Sequence, residues 1–226
     1  TEDEGLKIAQ MRKISGLIEK GRIKKGHEIL EIGCGWGSLA IEVVRRTGCK
    51  YTGITLSKEQ LRYAETKVKE AGLQDHIRFL LCDYRQLPRT CNEMLEAVGH
   101  EYMEEFFACC ESVLANNGSF VLQFTSIPDE RYDEYRRSSD FIKEHIFPGG
   151  CLPSLSIVTS AMAASSRLWN FYFPRGARGK HRDTLLSNTH MLEAKLLGKS
   201  EFIRTWEYYF DYCTAGFKTR TLGNYQ

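Results

Sequence analysis

His27-Glu28-Ile29-Leu30-Glu31-Ile32-Gly33-Cys34-Gly35-Trp36-Gly37-Ser38 decides the reading of this chain. Residues 27–32 carry apolar side chains at 29, 30 and 32 and read as a buried strand, which runs into a loop with glycine at 33, 35 and 37. Without side chains there, the loop backbone is free to approach a ligand closely. Ser38 to Thr47, closed by Gly48, follows as a short helix. Lys50 to Ile54 is a second strand, and Ser57 to Ala71 a second helix with Ser57 and Gln60 as a capping box and Gly72 as its stop. Ile77 to Leu81 is a third strand, Glu101 to Leu114 a further helix, and Ser119 to Phe124, after the turn Asn116-Asn117-Gly118, another strand. Such alternation predicts an α/β fold, a mostly parallel sheet with helices on both faces. One element is missing. Between Asp83 and Glu93, where an α/β domain places its fourth strand, there is no apolar run of four residues.

Upstream, Thr1 to Gly21 reads as a helix, with Thr1 and Glu4 as a capping box and Met11, Ile14, Leu17 and Ile18 as its apolar stripe. Downstream, Glu130 to Glu144 is a charged helix that turns Tyr132, Tyr135 and Phe141 inward. Pro153 to Ser165 is a helix with Pro at its first position. Trp169 to Ser200 has no clean period, Glu201 to Phe217 is an aromatic-rich helix, and Lys218 to Gln226 is a final strand. The chain therefore reads as one domain, 1–226. It comprises an N-terminal helix (1–25), a ligand-binding core (26–125) and a C-terminal part (126–226) in which 169–200 is atypical.

Composition excludes several classes. The 226 residues hold 31 Lys or Arg and 29 Asp or Glu, a net charge of +2, which argues against a dedicated nucleic-acid binder. With 42% hydrophobic and 27% charged residues the chain is neither disordered nor fibrous. The longest stretch without charge apart from histidine, Ile146 to Ser166, is broken by Pro148, Gly149, Gly150 and Pro153, so no transmembrane helix is expected. The acidic start at Thr1 does not resemble a signal peptide, and the missing initiator Met points to a fragment. Eight cysteines with no CxxC pair read as reduced thiols, with no metal site, in a cytoplasmic or peripheral-membrane protein.

Three stretches carry candidate chemistry. Glu31-x-Gly33-x-Gly35-x-Gly37 departs from the dinucleotide fingerprint G-x-G-x-x-G, because its third glycine comes one place early and position 38 is Ser. A plain tight turn and a nicotinamide-binding turn are the alternatives. The spacing resembles motif I of class I S-adenosylmethionine (SAM) methyltransferases. In Gly53-Ile54-Thr55-Leu56-Ser57-x-x-Gln60 neutral hydrogen-bonding groups stand where a dinucleotide fold has a ribose-binding carboxylate; helix capping by Ser57 and Gln60 is compatible with ligand contact. In Cys82-Asp83-Tyr84-Arg85, at the end of the third strand, an acid or an aromatic ring has access to an adenine, or the segment is an ordinary loop.

With these, Glu93-Met94-Leu95-Glu96-Ala97-Val98-Gly99-His100 and Ile146-Phe147-Pro148-Gly149-Gly150-Cys151-Leu152-Pro153-Ser154 complete an ordered set. That set resembles the cyclopropane-fatty-acyl-phospholipid synthase and mycolic acid cyclopropane synthase family, in its plant-like form. The resemblance covers 1 to about 167 and about 201 to 226. It implies a Rossmann-like class I SAM-dependent methyltransferase fold, incomplete at the fourth strand and altered in part of the C-terminal half. It implies transfer of a methylene group from SAM to a cis double bond of a phospholipid acyl chain at a membrane surface. Matched by position, Glu96 falls on a bicarbonate-holding glutamate, Tyr209 on a bicarbonate-contacting tyrosine, and Gln123 where bacterial members carry histidine. A helix-start carboxylate, a core tyrosine and a strand residue are the plainer readings of these three. Glu31, Gly33, Cys34, Gly35, Trp36 and Gly37 would hold the methionine part of SAM, Thr55, Leu56, Ser57 and Gln60 the ribose side, and Tyr84 and Arg85 the adenine side. Tyr208, Tyr209, Tyr212 and Phe217 are candidates for stabilising a carbocation. His100 and His145 read as structural. The family carries a further segment before the first helix. A SAM methyltransferase for a small amine, or an inactive splice or gene-model variant, are the competing readings, and the oligomeric state is left open.

Overall fold

The computed structural model describes residues 6–86, 99–165 and 200–225. Its elements are α1 (Leu6–Lys20), β1 (Glu28–Ile32), α2 (Ser38–Thr47), β2 (Lys50–Thr55), α3 (Lys58–Glu70), β3 (Ile77–Leu81), α4 (Met103–Val113), β4 (Phe124–Ser126), α5 (Asp129–Arg137), α6 (Leu155–Ser165), α7 (Ser200–Lys218) and β5 (Gly223–Tyr225). β1, β2 and β3 form a parallel sheet in that order, with Glu31 opposite Gly53 and Gly53 opposite Phe79.

Strand alternation sorts the side chains onto two faces. Tyr51, Ile77 and Phe79 pack against Ala40, Val43 and Val44 of α2 and Ala64 and Val68 of α3. Ile32 and Ile54 face the other way, onto Met103, Phe106, Phe107 and Cys110 of α4 and Val158, Ala161 and Met162 of α6. The two phenylalanines of α4 are fully buried, and each such side chain contributes roughly 1.5–3 kcal/mol by leaving water. This is the layered α/β arrangement read from the sequence.

The open edge of β1 is the departure. The His27 carbonyl accepts from Lys50 N–H at 3.0 Å, and Gly33 N–H donates to the Ile54 carbonyl at 2.9 Å. Odd-numbered residues of β1 thus bond to β2, and the backbone groups of Glu28, Leu30 and Ile32 point to the opposite edge. Among the described residues no strand pairs there. The expected strand Ser119 to Phe124 is corrected accordingly: 119–123 forms no ladder, and the strand begins at Phe124. A strand lacking its neighbour has no hydrogen-bond partners with which to form a sheet. β4 pairs instead with β5, antiparallel, Phe124 opposite Tyr225.

Other boundaries shift for local reasons. The charged helix expected to reach Glu144 ends at Arg137, where Ser138 takes an extended conformation, and a single wide turn follows at Ile142–Ile146. The helix expected from Pro153 starts at Leu155, after Ser154 bridges to Ile127. The capping box at Thr1 and Glu4, the gap from Leu87 to Asn92, Glu96 and most of 169–200 lie outside the described residues.

Candidate functional site

The carboxyl ends of β1, β2 and β3 lie side by side, so the loops that follow them share one edge of the sheet. The first is the glycine loop. Gly33, Gly35 and Gly37 all take positive φ, 81°, 51° and 80°, a region other residues enter only with strain. Gly33 and Cys34 N–H both donate to the Ile54 carbonyl at 2.9 Å, which ties the loop to β2. Gly37 is needed for space as well, because a Cβ there would lie 2.9 Å from that of Ala64. Trp36 is set edge-on against Tyr63 of α3, ring centroids 5.2 Å apart.

The loop ends at the N-terminus of α2, whose preceding residue, Gly37, supplies no side-chain cap. The first-turn N–H groups of this ten-residue helix therefore face the loop with the positive end of its dipole. That arrangement suits the carboxylate of an amino-acid ligand.

At the end of β2, Thr55 is buried and its hydroxyl donates to Gln60 Oε1 at 2.8 Å. The Thr55 hydroxyl oxygen in turn accepts from Ser57 N–H at 3.1 Å, and Ser57 Oγ accepts from Gln60 backbone N–H at 3.2 Å as the cap of α3. The network aims Gln60 and leaves its amide N–H groups without a partner among the described residues. They are available to a sugar hydroxyl. Leu56, 67% exposed, presents apolar surface at the same rim.

At the end of β3, Arg85 holds Asp83 through three contacts, backbone N–H to Oδ1 at 2.9 Å, Nε to Oδ1 at 3.0 Å and Nη2 to Oδ2 at 2.6 Å. This pairing keeps the Asp83 carboxyl below its ordinary range. Tyr84 is half-buried, its ring T-shaped to Phe106 at 5.4 Å with the Arg85 guanidinium over it at 5.8 Å.

Beneath the glycine loop, Glu31 is 9% exposed and accepts from the Tyr51 hydroxyl at 2.9 Å. Burial pushes its carboxyl up to about 7, against the pull of the Tyr51 hydrogen bond and the Lys13 charge. The Cys34 thiol is driven up to about 12, first by its own burial and then by Glu31.

The remaining candidates lie farther along the chain. Gln123 is half-buried just before β4. Tyr209 is half-buried on α7, edge-on to Phe147 at 5.9 Å and to Trp206 at 5.4 Å. Of the other aromatic candidates, Tyr208 and Tyr212 are exposed and Phe217 is half-buried. Tyr51 was not singled out in the sequence, and Gly53 and Phe147 stood within quoted stretches without a role of their own. The signal for the first two was parity: 31, 51 and 53 share a face once β1 and β2 are paired in register. Among the described residues no cluster of ligands for a metal ion occurs, and no helix is long and apolar enough to cross a membrane.

A glycine loop ending in an uncapped helix, beside neutral groups on the second strand, within this layered sheet, is the class I SAM methyltransferase fold. A solved mycolic acid cyclopropane synthase, CmaA1 complexed with SAH and CTAB, superposes with a TM-score of 0.82 at 25% identity, over 99% of this chain and 84% of that one. The profile of mycolic acid cyclopropane synthetases matches residues 1–226, and the chain belongs to that family. The bounds of that match enclose 169–200, beyond the two stretches on which the sequence resemblance rests.

The tuberculostearic acid methyltransferase UfaA1 of Mycobacterium tuberculosis is 34% identical over 245 positions, 98% of this chain and 54% of that protein. The sphingolipid C9-methyltransferase 1 of Gibberella zeae is 30% identical over 251 positions, 100% of this chain and 46% of that protein. The chain thus spans about half the length of these curated relatives. The second alignment sets 251 positions against 226 residues, leaving at least 25 positions at which this chain has none.

Proposed function

We propose that this chain is the SAM-binding part of an enzyme that adds one carbon from SAM to a cis double bond of a phospholipid acyl chain and closes a cyclopropane ring. The observation that carries the reading is the coincidence, at one sheet edge, of the glycine loop, the uncapped start of α2 and the aimed amide of Gln60. Uncapped N–H groups suit the methionine carboxylate and Gln60 a ribose oxygen, and Leu56 and Trp36 supply apolar cover. In the reaction, the alkene π pair bonds to the sulfonium methyl carbon as the C–S pair leaves with sulfur. A base then takes a proton from the added carbon, and the freed C–H pair closes the ring. The cation between these steps needs a dry site with aromatic faces; Tyr209 touches Phe147, which is half exposed, and Trp206, and acyl-chain binding would have to complete the cover. Bicarbonate as the base is part of the proposal through Glu96, Gln123 and Tyr209. Of these the described residues include Gln123 and Tyr209, each half-buried.

The names of the two curated relatives above, both methyltransferases, support a second outcome, methylation without ring closure. Incubation with SAM and vesicles of a cis-monounsaturated phospholipid, followed by proton NMR of the acyl chains, separates them. Ring protons support cyclopropanation, a methyl branch supports the second reading, and unchanged lipid contradicts both. Access to the lipid would come through an anionic surface meeting the exposed Arg131 and Arg137 of α5. Vesicle binding that is weakened by salt is the expected result, and binding indifferent to salt contradicts the electrostatic route.

A further inference from the structure

We propose that Tyr51 is a positioning residue: with Glu31 it forms a proton-linked pair beneath the glycine loop that ties the loop's affinity for cationic SAM to the charge of Glu31. The inference rests on the SAM reading above and adds to it a residue and a pH dependence.

Tyr51 is 3% exposed on β2, two residues before the Gly53 that faces Glu31 across the sheet. Its hydroxyl donates to Glu31 Oε2 at 2.9 Å, and the second carboxyl oxygen has no hydrogen-bond partner among the described residues. Glu31 and Tyr51 both line a cavity of about 90 Å³ between β1, α1, α2 and the unladdered 119–123 stretch. That space is large enough for water, which needs only about 10–15 Å³, so a proton has a route to and from the carboxyl.

The charged and titratable groups around Glu31 are few. α1 contributes Lys13, the loop Cys34 and β2 Tyr51. α2 lines the cavity with Leu39 and Val43, and the 119–123 stretch with Ser119 and Val121. Glu31 therefore has one fixed hydrogen-bond donor and one distant cation to hold its charge, and it sits two residues before the loop. Burial leaves it poised near neutrality. SAM brings a sulfonium and an ammonium close by, which favours the ionised carboxylate. Linkage then requires that ionisation of Glu31 favour SAM equally.

The test follows Glu31 directly by carbon NMR titration of the side-chain carboxyls, assigned by Glu31→Gln, alongside SAM calorimetry from about pH 6 to 8. Removal of the phenol in Tyr51→Phe takes away the bond that favours the charged form, so the Glu31 midpoint rises by about one unit, tenfold in proton affinity. Lys13→Gln, at a half-buried residue of α1 outside the sheet, moves it the same way and keeps the test open if Tyr51→Phe folds poorly. SAM affinity in the native chain should rise by about tenfold across the window, should rise later in Tyr51→Phe, and should lose this component in Glu31→Gln. Titration of the SAM amine is common to all the proteins and cancels in the comparison. A Glu31 midpoint unmoved in both variants overturns the pairing. A carboxyl that titrates while SAM affinity follows the same pH curve in Glu31→Gln overturns the linkage. Absence of SAM binding at every pH, with a normal carboxyl titration, overturns the SAM reading itself.

Discussion

Substitution of Gly53 by alanine should damage stability and cofactor binding together. Gly53 lies in mid-sheet, where an added Cβ would stand 2.7 Å from Cys34 Cβ and 2.7 and 2.8 Å from two ring carbons of Phe79. Phe79 has little room to swing towards the start of α2, where a Cβ at Gly37 would meet Phe79 Cζ at 3.0 Å. Relief must come from Cys34, whose movement drags the glycine loop. Overpacking of this kind costs about 1–3 kcal/mol, offset by roughly 0.4–1 kcal/mol from the stiffer unfolded chain. A net loss of about 1–2 kcal/mol lowers Tm by about 2–8 °C in a chain of this size. SAM affinity should fall on the order of tenfold, the equivalent of about 1.4 kcal/mol. A thermal melt and SAM calorimetry read both quantities. Gly53→Ala with Phe79→Leu should recover part of the melt. Gly72→Ala, where a Cβ meets nothing within 4 Å, should leave SAM affinity alone. An unchanged Tm together with unchanged SAM affinity in Gly53→Ala would refute the packing argument.

Glu31 should make the chain less stable as pH rises. Its folded carboxyl is raised from 4.5 to about 7, so stability is complete below about pH 4.5 and is lost as pH climbs through 7. The loss is about 3 kcal/mol, and denaturant melts of Glu31→Gln at pH 5 and 8 should show it gone. Ser57→Ala removes the cap on Gln60 N–H and should cost about 1 kcal/mol, or about 2–4 °C, whereas Ser57→Asp should retain most of it. Arg85→Gln breaks an exposed pair with Asp83, so Tm should stay put. If Arg85 meets the adenine, SAM affinity falls in the same variant; an equal affinity removes it from the site.

The parts of the fold that could be read in advance are those fixed by local signals. The α2 helix was bounded in the sequence as it is in the structure, by glycines at 37 and 48 that both take positive φ, and Ser57 caps α3 as its spacing implied. Strand 119–123 could not be read this way. Its apolar run Phe120-Val121-Leu122 is strand-like, but a strand exists only with a partner, and the described residues offer none. At the site, glycine spacing gave the loop and the T-x-S-x-x-Q pattern gave the network at Thr55 and Gln60. The Glu31–Tyr51 bond was hidden because it depends on strand register, which sets residues twenty positions apart on one face. Tyr84 likewise reads as a free aromatic until α4 brings Phe106 against it.

The central claim is that the loop at 33–37 and the ends of β2 and β3 bind SAM. Calorimetric titration of SAM into this chain, with a thermal melt on the same sample, tests it most directly. The expected result is saturable one-site binding and a Tm that rises with SAM concentration. A cooperative melt with no heat of binding and no shift in Tm would contradict it.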